Sequence, residues 1–176
     1  MLNVLVPIDG SDNGLNALRH AIDEYRRDHD LRLHLLHVQP RLSRHVARFV
    51  SRGDRAAWHA ERADAALAGA RQVLERARVP YAAQWRVGER AHEICRTAEQ
   101  LGCHHIVMGT ARRNTLTRML QDSVTHRVLE HASVPVEVVV GPAVSRLERW
   151  GLPAGGPGLG RRVVDGAGRL KQRVRT

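Results

Sequence analysis

Five short apolar runs, separated by stretches whose apolar residues recur at helical spacing, constrain this chain more than any other feature. The runs are Leu2 to Ile8, Leu31 to Val38, Tyr81 to Val87, His104 to Met108 and Val134 to Val140. Most are apolar at successive positions, as strands covered on both faces are. Between the first two, Leu15, Leu18, Ala21, Ile22 and Tyr25 repeat every three to four residues, with Ser11 or Asp12 placed to cap the helix. After a polar, arginine-rich crossover from Arg41 to Gly53, Asp54 is placed to cap a long alanine-rich helix that runs to Arg78 and stops at Pro80. A further helix carries Ala91, Ile94, Cys95, Ala98 and Leu101 on one face and ends at Gly102, a C′ glycine. The last helix holds Val124, Val128 and Leu129. Strands alternating with helices imply an α/β fold: a five-stranded parallel sheet, right-handed crossovers, and helices on both faces.

The pattern stops at Val140. Residues 141–160 are rich in Gly and Pro and read as a linker. Residues 161–176 are basic and weakly periodic, and read as disordered or conditionally helical. Charge follows the same division. The formal net charge is +10, yet from Gly141 onward there are eight basic residues against two acidic ones, so the tail carries +6 of it. Basicity is therefore mainly a property of the extension. Its arginines could hold phosphates without regard to sequence, which makes nucleic acid a candidate partner. Trp58, Trp85 and Trp150 are spread along the chain and suggest no stacking ladder for single strands. No apolar run is long enough to span a bilayer, and the N-terminus lacks the features of a signal peptide. The expected location is the cytoplasm, where Cys95 and Cys103 stay reduced.

In parallel sheets, ligands bind beyond the carboxyl ends of the strands, near the point where strand order switches. Two loops compete for that place: Pro7 to Asp12 and Gly109 to Ser123. No nucleophile, base and acid fall into a recognisable catalytic motif, so an enzyme is not expected. Cys103-His104-His105, near Cys95, matches no zinc-site spacing, and neighbouring strand residues point to opposite faces; no metal site is expected.

Taken in order, four segments resemble the universal stress protein family: "LVPIDGSDNGLNALRHAI", "LHLLHVQP", "VGERAHEICRTAEQLGCHHIVMGT" and "DSVTHRVLEHASVPVEVV". The resemblance spans residues 1–140 and leaves the tail without a counterpart. It implies a Rossmann-like sheet of the adenine nucleotide alpha hydrolase-like type, a stress-response or regulatory role, and a homodimer formed through the last strand. The apolar run Val134, Val136, Val138, Val139 and Val140 fits such an edge, since an apolar edge strand needs cover.

ATP-binding members of that family carry Gly-x2-Gly-x9-Gly-Ser/Thr after the fourth strand. Laid on this chain, the first glycine is Gly109, the second falls on Arg112, the third on Asp122, and Ser123 keeps the hydroxyl. Glycine lets backbone N–H groups approach a phosphate without an intervening Cβ. Asp122 puts a negative charge where the terminal phosphate would lie, a repulsion of about 1–4 kcal/mol at surface dielectrics, partly offset by Arg112, Arg113 and Arg118. Asp122 also suits the N-cap of the following helix. By resemblance, Asp9 contacts the nucleoside part and the Val38 backbone meets the adenine. An aspartate at such a turn equally satisfies local backbone donors. The candidate binding residues are thus Asp9, Val38, Gly109, Arg112, Ser123 and Val124. The expectation is a non-enzymatic regulatory module with a degenerate phosphate loop that works through an unidentified protein partner. An ATP-binding switch with weak hydrolysis and a nucleic-acid-associated protein are the alternatives.

Overall fold

The computed structural model describes residues 2–110, 124–141, 161–164 and 170–171. The elements run β1 (Leu2–Pro7), α1 (Asp12–Arg27), β2 (Leu31–Gln39), α2 (Arg44–Ala47), α3 (Arg52–Ala77), β3 (Tyr81–Val87), α4 (Arg90–Gln100), β4 (His105–Thr110), α5 (Val124–His131), β5 (Val136–Val140), β6 (Arg161–Val164) and β7 (Leu170–Lys171). Sheet order is β3-β2-β1-β4-β5-β6-β7. The first five strands pair in parallel, as the sequence implies. The chain lays strands outward from β1 to β3, then returns to place β4 on the other side of β1. Strand order therefore switches between β1 and β4, which puts the ligand position at their carboxyl ends.

Alternation along each strand sends side chains to two separate cores. On one face Val4, Val6, Leu33, Leu35, Val107 and Val139 meet Leu18, Ile22, Leu67 and Leu74 of α1 and α3. On the other, Leu5, Leu36, Ile106, Met108 and Val136 meet Ile94, Ala98 and Val128 of α4 and α5. Both cores are almost wholly aliphatic, in keeping with an aromatic content of 3%.

Local chemistry sets the helix ends. Ser11 caps α1 by accepting from the Gly14 N–H. Ser51, rather than Asp54, caps α3: its hydroxyl accepts from the Asp54 N–H at 3.1 Å and donates to the Asp54 carboxylate at 2.7 Å. Asp54 sits one turn in and completes the cap, so the helix starts earlier than expected. Gly102, at φ +57°, ends α4 in the left-handed conformation expected of a C′ glycine. Cys103 N–H reaches back to the Ala98 carbonyl at 2.8 Å. His104 lies outside β4; its backbone donates to Asn3 O and its Nδ1 accepts from Asn3 N–H.

Two strands come from the segment read as a basic tail. β6 pairs antiparallel with β5, Val136 opposite Val164 and Val139 opposite Arg161, and β7 pairs antiparallel with β6. The backbone donors and acceptors along the outer side of β5 thus receive partners from the same chain, the cover that an apolar edge requires.

Candidate functional site

Beyond the carboxyl ends of β1, β2 and β4 lies a crevice open to solvent. Its walls are mainly Ile8, Leu36, Val38, Ile94, Met108 and Val124. The β1 exit is held firmly. Ile8 N–H donates to the Leu36 carbonyl at 2.8 Å, and buried His37 donates from Nδ1 to the Ile8 carbonyl at 2.7 Å. Asp9 therefore leaves the sheet from a fixed backbone. Its Oδ1 accepts from both the backbone N–H and the hydroxyl of Ser11, the residue that caps α1. The carboxylate at the rim thus organises the first turn of α1 and still lines the crevice.

Asp9, Val38, Gly109 and Val124 all line this one crevice. Arg112, Asp122 and Ser123 lie outside the described residues. Gly109 has a packing role independent of any ligand. A Cβ there would sit 1.8 Å from the Asn13 carbonyl oxygen and 2.3 Å from its carbon, so β4 approaches α1 more closely than any side chain allows. Its φ is not positive; closeness, not a left-handed backbone, calls for glycine. Two polar lining residues escaped the sequence reading, Arg90 and Thr125. Arg90 opens α4, whose N-cap is Glu89: the carboxylate accepts from Ala91 N–H at 3.1 Å and His92 N–H at 2.8 Å and pairs with Arg127 at 3.1 Å. Burial pushes the Glu89 carboxyl up, but the two backbone donors and Arg127 outweigh it and its pKa is lowered. Arg90 is thereby placed as an exposed cation beside an apolar slot.

A second cluster lies at the other end of the sheet, where β4 and β5 begin. His20 and Glu24 are one turn apart on α1 and face His105 and Glu137. His20 Nε2 is 2.9 Å from Glu137 and 3.5 Å from Glu24; His105 Nε2 is 3.3 Å from the other Glu24 oxygen. Hydrogen bonding to Glu137 and then to Glu24 raises the His20 pKa to about 9, against an opposing effect of burial. Glu24 moves the other way: burial raises it, but the two histidines prevail and lower it well below the usual carboxylate range. The sequence signal for this cluster is a lone glutamate inside the valines of β5 together with His20 and Glu24 at i, i+4.

A histidine whose pKa is higher folded than unfolded stabilises fully below its unfolded value, near 6.5, and loses that contribution as pH rises through the folded value of about 9. The melting temperature of the chelator-treated protein should therefore fall between pH 6.5 and 9.5. In His20→Gln that fall should be shallower. Parallel profiles for the two proteins would rule out His20 as the titrating group.

The remaining candidates resolve into structure. Cys95 and Cys103 are buried, and burial pushes both thiols up, Cys103 to about 11, so neither offers a ready thiolate. Two of the tryptophans thought to be spread apart are brought together around His59, whose ring stacks on Trp85 at 6.1 Å and meets Trp58 edge-on at 4.8 Å. Buried Gln39 locks this group to α3, donating to the His59 carbonyl at 2.7 Å. Trp150 lies outside the described residues. No helix among the described residues is long and apolar enough to cross a membrane.

Comparison with known proteins agrees with this geometry. Residues 1–140 match the model of the universal stress protein family. Universal stress protein MJ0531 of Methanocaldococcus jannaschii is 31% identical over 145 residues, covering 79% of this chain and 82% of the relative. Among solved structures, the hypothetical protein MJ0577 superposes with a TM-score of 0.63 at 25% identity, over 80% of this chain and 96% of that one. Two more distant structures share the fold. A universal stress protein family protein from Arabidopsis thaliana, solved with AMP bound, gives a TM-score of 0.59 at 18% identity over 81% of this chain and 94% of its own. A universal stress protein in complex with cAMP gives 0.61 at 19% identity over 78% and 96%. By its family match over 140 of 176 residues, its curated relative and its sheet order, the chain belongs to the universal stress protein family.

Proposed function

We propose that the protein is a non-enzymatic regulatory module of the stress response whose crevice takes an adenosine-type ligand, with a monophosphate preferred to ATP. The observation that carries this is the crevice at the β1–β4 switch, whose lining combines apolar Val38, Met108 and Val124 with the Asp9 carboxylate and the Arg90 guanidinium. An aromatic base suits the slot, a ribose hydroxyl suits Asp9, and a short anion suits Arg90. AMP and cAMP, held by two structural relatives, have this shape. The preference over ATP rests on the sequence beyond Gly109, where Arg112 and Asp122 stand at the positions of two phosphate-loop glycines.

The test is calorimetric titration of nucleotide-free protein with AMP, cAMP and magnesium-ATP. AMP or cAMP should bind at least about tenfold more tightly than ATP, a difference of about 1.4 kcal/mol. Val38→Trp, which fills the slot, should abolish binding without unfolding the chain. Tight ATP binding with turnover would replace this reading with the ATP-switch alternative. Binding unaffected by Val38→Trp would place the ligand elsewhere.

In this reading the protein acts in the cytoplasm and passes its state to a protein partner, as a homodimer. With the edge of β5 paired to β6, a dimer through β5 requires β6 to leave, so removing residues 141–176 should strengthen dimerisation seen by light scattering. A second reading, nucleic-acid association, is favoured by the charge of +6 carried from Gly141 onward. It requires salt-sensitive binding that vanishes in the same truncation.

A further inference from the structure

We propose that His20, Glu24 and Glu137 form a binding site for a single first-row divalent cation, zinc foremost, with His105 positioning Glu24. One ligand atom from each of the three residues lies within 4.8 Å of the others. A single ion would draw them somewhat closer, chiefly the two carboxylates. Bonds of about 2.0–2.2 Å place neighbouring donors about 3.0–3.5 Å apart, in octahedral or tetrahedral geometry. His20 Nε2 already stands 2.9 Å from Glu137 Oε1 and 3.5 Å from Glu24 Oε1.

The three side chains are held from two elements. α1 supplies His20 and Glu24 at i, i+4, the spacing that puts two ligands on one helix face. β5 supplies Glu137, buried at 8% exposure on the face covered by α1. An acid in such a place requires a positive partner. His20 Nε2, 2.9 Å from Glu137, is one such partner when it carries a proton. A cation would replace that proton, leaving neutral imidazole as a ligand and joining both carboxylates.

His105 acts outside this set. Its Nε2, 3.3 Å from Glu24 Oε2, fixes the rotation of the carboxylate so that Oε1 faces His20. Outer hydrogen bonds of this kind orient metal ligands. One imidazole with two carboxylates suits zinc or manganese(II) and gives magnesium no advantage over water. The buried thiols Cys95 and Cys103 take no part. Because the cluster lies where β4 and β5 begin, and the crevice lies where β1, β2 and β4 end, the metal would clamp α1 to the sheet at the end remote from the ligand.

The full-length chain, stripped with a chelator and then freed of it, is titrated with zinc, manganese(II) and magnesium, following heat and melting temperature. One zinc per chain should bind and raise the melting temperature, manganese(II) should bind more weakly, and magnesium should leave it unchanged. Glu137→Gln and Glu24→Gln should each weaken zinc by at least about 100-fold, and His105→Gln by about 10- to 100-fold with the stoichiometry kept. The Cys95→Ser, Cys103→Ser double variant should bind as the parent does. Should a glutamine variant fail to fold, cobalt(II) added to the parent protein decides the matter by its visible spectrum. Tetrahedral or five-coordinate bands without thiolate charge transfer support the site. Thiolate charge transfer, an aquo-ion spectrum, or zinc binding undiminished in a folded Glu137→Gln protein overturns it.

Discussion

Gly109→Ala should destabilise the protein by about 3 kcal/mol, the upper end of what overpacking usually costs, and lower its melting temperature by roughly 6–12 °C. The added Cβ would meet Asn13 O at 1.8 Å and Asn13 C at 2.3 Å, both backbone atoms in the first turn of α1. Backbone in a capped helix cannot rotate aside as a side chain can. Either α1 lifts from β4 or the end of β4 bends away, and each loses contact around Ala17 and Val107, which are fully buried. The substitution should also weaken any ligand in the crevice, because Asp9 and Val124 would separate. Gly102→Ala is the control. Its φ of +57° costs a side chain about 1 kcal/mol, but nothing lies within 4 Å of the new Cβ. Equal losses for the two variants, measured by thermal melting, would mean that close approach at Gly109 is not what its backbone position requires.

The second large effect concerns the two cores. Leu33→Ala empties the α1/α3 side and Ile106→Ala the α4/α5 side; both residues are fully buried. Each should cost about 2–5 kcal/mol, the transfer free energy plus the cavity left behind. They stand on β2 and β4 with β1 between, about 10 Å apart, and the sheet separates their neighbours. The double variant should therefore lose the sum of the single losses to within about 0.5 kcal/mol. Urea unfolding of the four proteins measures this. A departure from additivity above about 1 kcal/mol would show that the sheet transmits packing strain from one face to the other.

Strand positions were readable because buried parallel strands are apolar at successive positions, as in "LNVLVPI". Caps were readable as regions, though α3 begins at Ser51 because its hydroxyl reaches the Asp54 N–H, and either residue suits a cap on composition alone. Asp9, Val38, Gly109 and Val124 were identified by resemblance, and the fold gathers them into one crevice. Arg90 and Thr125 were not foreseen, since nothing local marks a helix-opening arginine as lining the crevice. His105 was weighed with its sequence neighbours Cys103 and His104. Its contact is instead Glu24, 81 residues away.

The order of the first five strands and of their four long helices, the parallel pairing, the aliphatic character of both cores and the concentration of positive charge beyond Val140 were legible in the sequence. All of these follow from periodicity and composition, which are properties of neighbours along the chain. Three further features exist only in the folded chain: Gly109 is required by the Asn13 carbonyl, β6 takes the edge of β5, and two histidines and two glutamates from α1, β4 and β5 meet in one half-buried cluster. The physical reason is the same in each case. Distances of a few Å between residues far apart in sequence depend on strand order and on which face each side chain takes, and a local pattern specifies neither.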